Sequence, residues 1–215
     1  STPKPSSAAS DVYKRQILRD AQKKMVIDGI NALNKQGFLL AAAPTGIGKT
    51  AASLAATLQV ARNSVNHKHI LFLTGRQSQH KIVIDTVKSI NSKLDEGISK
   101  IRVVDIIGRE SMCEDVDRMT SKCSCEEGVI EGTRQSRRED MKEYILKSPK
   151  HVDEIIHTCK KKKICAWAAS RSAVKDCDIL VCDYNHIFVE DVRERSLPAM
   201  NINLENTILI IDEAH

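Results

Sequence analysis

Two stretches far apart in the chain carry the residue types that handle phosphate groups. "APTGIGKT" (43–50) holds two glycines, a lysine and a threonine. Between a strand and a helix, such glycines let the backbone curl until successive N–H groups face phosphate oxygens. Ala43, Pro44, Thr45, Gly46, Ile47 and Gly48 are expected to form that curl, with Ala43 standing where the common form has Gly. Lys49 would reach the β- and γ-phosphates, and Thr50 would offer its hydroxyl to Mg²⁺. The second stretch, "NTILIIDEAH" (206–215), runs from apolar residues straight into two acids. Asp212 is expected to hold Mg²⁺, usually through water. Glu213 is placed to position or deprotonate an attacking water, and His215 to couple the site to other parts of the molecule. Together these residues read as an ATP and Mg²⁺ site. Upstream, "RDAQKK" sets Arg19 and Gln22 three apart on one helix face. The Gln22 amide both donates and accepts, which suits an adenine edge.

A different chemistry is concentrated in the middle of the chain. Five of the seven cysteines, 113, 123, 125, 159 and 165, fall within 53 residues. The paired Cys-x2-Cys knuckles usual for zinc are absent. Four thiolates at irregular spacing suit either zinc or an iron–sulfur cluster. The surrounding sequence is charged and poor in apolar residues, so a metal staple would supply what burial cannot. Cys177 and Cys182 lie at and within a separate apolar run and are expected to be buried small hydrophobes.

The elements that must position these groups follow from hydrophobic patterning. Residues 17–35 carry apolar positions at helical spacing. "FLLAAA" (38–43) reads as a buried strand that delivers the phosphate loop, and 51–63 as the helix that follows it. Further buried strands are expected at 69–74, 101–108, 177–184 and 206–212, the last lying beside the phosphate-loop strand, with a helix at 79–94. Strands alternating with helices imply an α/β fold, a parallel sheet flanked by helices. Between 109 and 165 this rhythm stops, and two surface helices are expected at 136–148 and 148–163. Residues 1–16 read as a disordered tail or a cloning remnant.

Bulk composition narrows the partners. The chain carries a formal charge of +5, and the window 134–164 alone holds ten Lys/Arg against five Asp/Glu. Such an excess suits phosphate backbones. No apolar run approaches the length of a membrane span, and the N-terminus lacks the pattern of a secretory signal. An intracellular setting is expected, cytoplasmic, or nuclear in a eukaryote.

"APTGIGKT", "FLTGRQSQH", "GRESMC", "ICAWAASR", "ILVCDYNHIF" and "IIDEAH", in that order, resemble the first motor domain of XPD-like DNA helicases, close to archaeal members and related to DinG. The resemblance spans residues 17–215. It implies a RecA-like P-loop NTPase domain, 17–108 and 166–215, interrupted at 109–165 by a small, mostly helical, Cys-rich domain holding a 4Fe-4S cluster. It makes Cys113 the first ligand and Cys165 the last, with Cys123 and Cys125 as the middle pair and Cys159 in reserve. Here Cys165-Ala166-Trp167 stands where members read Cys-Pro-Tyr. The family moves 5′→3′ along single-stranded DNA using ATP and opens forks at the cluster domain. By the same resemblance Thr74, Arg76 and Gln79 touch the DNA backbone, with Arg109 beside them and the basic run 160–163 lining the approach. ATP hydrolysis in this family needs a second motor domain, expected beyond His215, so this chain alone is expected to bind Mg-ATP but to show little ATPase activity and no unwinding. The competing reading is a zinc-stapled nucleotide- and nucleic-acid-binding module without helicase activity.

Overall fold

The computed structural model describes residues 20–44, 46–64, 69–113, 115–117, 119, 120 and 123–214. Arg19, Thr45, His215 and the expected tail lie outside the described residues. The centre is a four-stranded, wholly parallel sheet of β1 (His69–Leu73), β2 (Val103–Asp105), β3 (Ile179–Cys182) and β4 (Thr207–Ile211), in the order β2-β3-β1-β4. Side chains alternate across a strand, and β1 shows the consequence. Ile70 and Phe72 face one hydrophobic cluster, while Leu71 and Leu73 face the other.

Each face is covered by helices. On the first, α2 (Lys49–Asn63) and α3 (Gln77–Lys93) bring Leu54, Leu58, Val83, Ile84 and Val87 against β1 and β3. α1 (Asp20–Asn34) lies outside α2, and Gly29 permits the approach: a Cβ there would stand 3.1 Å from Ala56 Cβ. The second face is covered by α5 (Glu131–Lys147), α6 (Val152–Lys162) and α7 (Ala166–Val174), which contribute Met141, Ile145, Val152, Ile155, Ala169 and Ala173 to one core with Leu71, Val104 and Leu180. Three short elements complete the order: α4 (Arg109–Met112), α8 (Asn185–Phe188) and α9 (Glu190–Ala199), with a 3-10 turn at Leu204–Asn206 before β4.

Two expectations change. The run 38–43 is not a strand: Phe38 is 93% and Leu40 84% exposed, and the segment pairs with no sheet neighbour among the described residues. Apolar character alone cannot make a strand, which requires an adjacent ladder. β4 therefore lies beside β1, His69 opposite Thr207 through Leu73 opposite Ile211, rather than beside a phosphate-loop strand. The two helices expected at the surface between β2 and β3 are amphipathic walls of the core instead. Even Lys150, counted in the basic window, is buried; its Nζ donates to Tyr144 O, Ser148 O and Ser148 Oγ at 2.6, 2.9 and 2.8 Å and closes the α5–α6 turn.

Candidate functional site

The phosphate-binding signature folds into a tight loop entering α2. Gly46 and Gly48 adopt φ of 78° and 84°, the left-handed region open to glycine. At Gly48 the Gln22 amide approaches so closely that an added Cβ would push it aside. Gln22 thus lies directly on the loop. Lys49 Nζ crosses the loop to donate to Ala43 O at 3.0 Å. Thr50 sits in the first turn of α2. A cleft of about 320 Å³ opens alongside, lined by Gln22, Met25, Leu39, Ala43, Ile47 and Lys49. The exposed 38–43 run thus forms its wall.

The acids arrive from β4. Asp212 N–H donates to Leu73 O at 3.0 Å, continuing the β1–β4 ladder by one residue and fixing where the side chain starts. Burial raises the Asp212 carboxyl above its ordinary range, Glu213 adds to the rise, and Lys49 opposes it. Lys49, Asp212 and Glu213 therefore share one electrostatic neighbourhood although 163 residues separate Lys49 from Asp212 in sequence. Glu213 holds a φ of 53°, uncommon for a residue with a Cβ.

The loop after β1 lies at the same end of the sheet. Thr74 is fully buried; its N–H donates to Cys182 O at 3.1 Å and its hydroxyl donates to Gln79 Oε1. Arg76 is exposed at the start of α3. Of the three backbone-contact candidates in this loop, Arg76 faces solvent and Gln79 is half-buried, while Thr74 braces Gln79. Sequence reading passed over Tyr184, which follows β3 in "ILVCDYNHIF". Its hydroxyl donates to Asp212 O and its ring packs on Gly75.

Four thiols converge where the chain leaves and re-enters the sheet. Cys113 and Cys123 sulfurs are 2.9 Å apart, Cys123 and Cys125 2.7 Å, and all three lie within 4.8 Å of one another. Cys165, at the start of α7, is in contact with Cys123 and Cys125. Burial raises the Cys113 thiol to about 11 and raises Cys125 and Cys165 too. For Cys123 burial is outweighed by hydrogen bonds from the neighbouring thiols, and its value is lowered. A set of only sulfur donors, crowded together and burdened by desolvation, fits a soft metal centre. Cys159 stands apart from it: it is 1% exposed, part of the core with Ile155 and Ile164, and pushed up to about 12 by burial.

Glu126, next to Cys125, braces this cluster and escaped sequence reading, since a charged residue in a polar stretch gives no signal of burial. It is 7% exposed; its carboxylate accepts from Arg138 and, at 2.9 Å, from the Cys165 backbone N–H. Arg134 adds a further contact at 3.7 Å. Two of the three arginines at 134–138 are thus paired inward, and Arg137 donates to Lys162 O. Beside the thiols, Arg109 and Arg171 approach the Trp167 ring, 5.0 and 4.3 Å from its centroid. Burial, then the charge of Arg109, lowers the Arg171 value.

Comparison with known proteins bears on the family of the chain. Residues 72–215 match the DEAD_2 family, and residues 15–124 match the type III restriction enzyme, res subunit. The chain is similar to the ATP-dependent DNA helicase chl1 of Schizosaccharomyces pombe, 24% identical over 158 residues, covering 68% of this chain and 18% of that protein. It is also similar to the Fanconi anemia group J protein homolog of Gallus gallus, 33% identical over 64 residues, covering 30% of this chain and 5% of that protein. Among solved structures, an XPD helicase superposes with a TM-score of 0.62 at 24% identity, covering 92% of this chain and 33% of that one. The chain therefore spans a fifth or less of these curated relatives and a third of that structure. No helix among the described residues is long and apolar enough to cross a membrane.

Proposed function

The chain belongs to the DEAD_2 family of XPD-like helicases, and from that membership we propose that it is the first motor domain and metal domain of an ATP-dependent 5′→3′ DNA helicase. The observation that carries this reading is the proximity of the phosphate loop to the end of β4, close enough for the Lys49 charge to act on the Asp212 carboxyl. Loop N–H groups and Lys49 would hold the phosphates of ATP, and Gln22 would meet its base from the cleft wall. Thr50 and Asp212 would hold Mg²⁺, and Glu213 would orient the attacking water. Arg19, Thr45 and His215 lie outside the described residues and keep the roles expected from the sequence. Single-stranded DNA would run over Arg76 and Gln79 with Thr74 behind them, and on past Arg109. Trp167 and Arg171 extend that surface with a ring on which a base can stack.

Cys113, Cys123, Cys125 and Cys165 would hold a 4Fe-4S cluster within residues 109–165, with Cys159 left in the core. Bound there, the cluster would tie the polar stretch that carries Cys123 and Cys125 to the start of α7. The all-sulfur donor set supports a second reading at this one point, because thiolates hold zinc as readily as iron–sulfur clusters and a zinc-stapled binding module would use the same thiols. Iron, sulfide and zinc analysis of anaerobically purified protein decides between them. For the motor itself the test is equilibrium binding of a fluorescent ATP analogue with Mg²⁺, and of single-stranded oligonucleotides. Both are expected to bind, with little turnover, because residues of a second motor domain complete the site in this family. Failure of both to bind would overturn the proposal.

A further inference from the structure

The nucleotide acids and the loop after β1 are joined by one side chain. Tyr184 follows β3, the strand next to β1 on the side away from β4. Its hydroxyl donates to the backbone carbonyl of Asp212. Its ring lies so close to the neighbouring loop that a Cβ on Gly75 would stand 3.1 Å from Tyr184 Cε2. Gly75 lies between Thr74 and Arg76, and its φ is not in the left-handed region. Glycine is needed here for space rather than for backbone conformation. The Gly75 backbone also lies near the Tyr184 hydroxyl, whose pKa is raised by burial and by the charges of Asp212 and Glu213. The chain of contacts runs from Gly75 through the Tyr184 ring and Oη to the Asp212 carbonyl, one residue before the unusual backbone of Glu213.

We propose that Tyr184 is a positioning residue that couples the two ligand sites, relaying movement of the Gly75–Arg76 loop to the backbone that carries Asp212 and Glu213. The inference rests on the reading that the loop after β1 meets nucleic acid and that Lys49, Asp212 and Glu213 meet Mg-nucleotide. Physically the requirement is a contact that differs between the two states of the loop. The Tyr184 side chain meets it, because a shift of Gly75 displaces the ring and so changes what the Asp212 carbonyl receives from the hydroxyl. Coupling of this kind is reciprocal, so nucleotide must alter DNA affinity by the factor by which DNA alters nucleotide affinity.

The experiment measures affinity for a fluorescent ATP analogue with Mg²⁺, in the absence and presence of saturating oligo-dT, in the metal-loaded 215-residue protein. Wild-type protein is expected to show a shift of about fivefold or more. Tyr184→Phe keeps the ring and removes the relay; each ligand alone should bind within about twofold of wild type, while the shift collapses to about twofold or less. Gly75→Ala, which pushes on the ring from the other end, should reduce the shift in the same way. A full shift retained in Tyr184→Phe, no shift in wild type, or loss of either ligand alone in Tyr184→Phe would each overturn the inference. Absence of binding by wild-type protein would instead bring down the functional reading, and this inference with it.

Discussion

His80 Nδ1 stands 2.6 Å from Asp105 Oδ1, and both side chains are closed to solvent. The other Asp105 oxygen accepts the Val152 backbone N–H at 2.9 Å and lies 3.8 Å from His151 Nε2. One carboxylate at the end of β2 therefore ties the first turn of α3, next to Gln79, to the first turn of α6. Helices from opposite faces of the sheet are registered through it. Nothing in the sequence pairs residues 80 and 105, because a His on a helix and an Asp after an apolar run each read as solvent-facing.

Asp105→Ala should accordingly be among the most damaging substitutions outside the ligand sites. Removing the carboxylate leaves the buried His80 ring and the Val152 N–H without their acceptor, which costs about 3 kcal/mol, and for a chain of this size that lowers the melting temperature by roughly 6 to 12 °C. Thermal unfolding followed by circular dichroism checks it. A shift no larger than that of an exposed control such as Asp85→Ala would show that the network stabilises nothing.

The four strands that do form were readable because each is a short apolar run between turn-rich segments, and their parallel arrangement followed from the helices between them. The failure at 38–43 has the same cause as the successes: patterning reports hydrophobicity and says nothing about whether a neighbouring ladder exists. The residues proposed for the ATP site stood out in the sequence because phosphate binding constrains both type and spacing. Tyr184, Glu126 and Lys150 were not, because their roles depend on partners 28, 39 and 6 residues away, to be found only in the fold. α7 was hidden by its short alanine-rich face, which is fully apolar only on the side that meets α5.

Lys142 gives a pH-dependent test of how α5 is held. Its ammonium pairs with Asp176 and Glu139 at 2.8 Å each. The bond from Lys142 holds the Asp176 carboxyl below its ordinary value. A depressed carboxyl stabilises the fold above the pKa of the unfolded chain, and that contribution is lost as pH falls through the folded value. Lys142→Ala should cost no more than about 1 kcal/mol at neutral pH, since Asp176 is largely exposed. The gap from wild type should close on acidification and shrink in high salt, as thermal melts across a pH series would show. A gap that persists in acid would assign the loss to the packing of the lysine stem.

Lys49→Ala removes the cation from the phosphate loop and leaves the fold intact, because the half-buried side chain makes one hydrogen bond among the described residues, to Ala43 O. Affinity for Mg-ATP should fall at least about tenfold, or 1.4 kcal/mol. Circular dichroism should be unchanged. Titration with a fluorescent nucleotide measures the loss, and equal affinity in the variant would remove the phosphate loop from the site.

Glu126→Gln tests the brace of the thiol cluster. The amide retains the shape and can still accept from Cys165 N–H, but loses the charge that pairs with Arg138 and Arg134. Groups that orient metal ligands typically contribute 10- to 100-fold in affinity, so metal should leave the variant at least about tenfold more readily in a chelator challenge. Unchanged retention would make Glu126 a fold residue only.

The five clustered cysteines divide into two classes that metal analysis can separate. The sulfurs of Cys113, Cys123 and Cys125 lie within 4.8 Å of one another, Cys165 stands beside Cys123 and Cys125, and substitution of any of the four by Ser takes a sulfur donor from the set. Metal content should drop sharply in Cys113→Ser and Cys165→Ser, together with visible absorption if the centre is iron–sulfur. Cys159 offers its thiol to a hydrophobic core, 1% exposed, on the helix that contributes Val152 and Ile155. Cys159→Ser should keep its metal and lose stability, by about 1–3 kcal/mol for a hydroxyl buried without a partner. Cys159→Ala separates the two effects, since it removes the sulfur without burying a polar group. It should hold metal at wild-type stoichiometry and melt above Cys159→Ser. Loss of metal from Cys159→Ala would place this cysteine among the ligands and remove one of the other four.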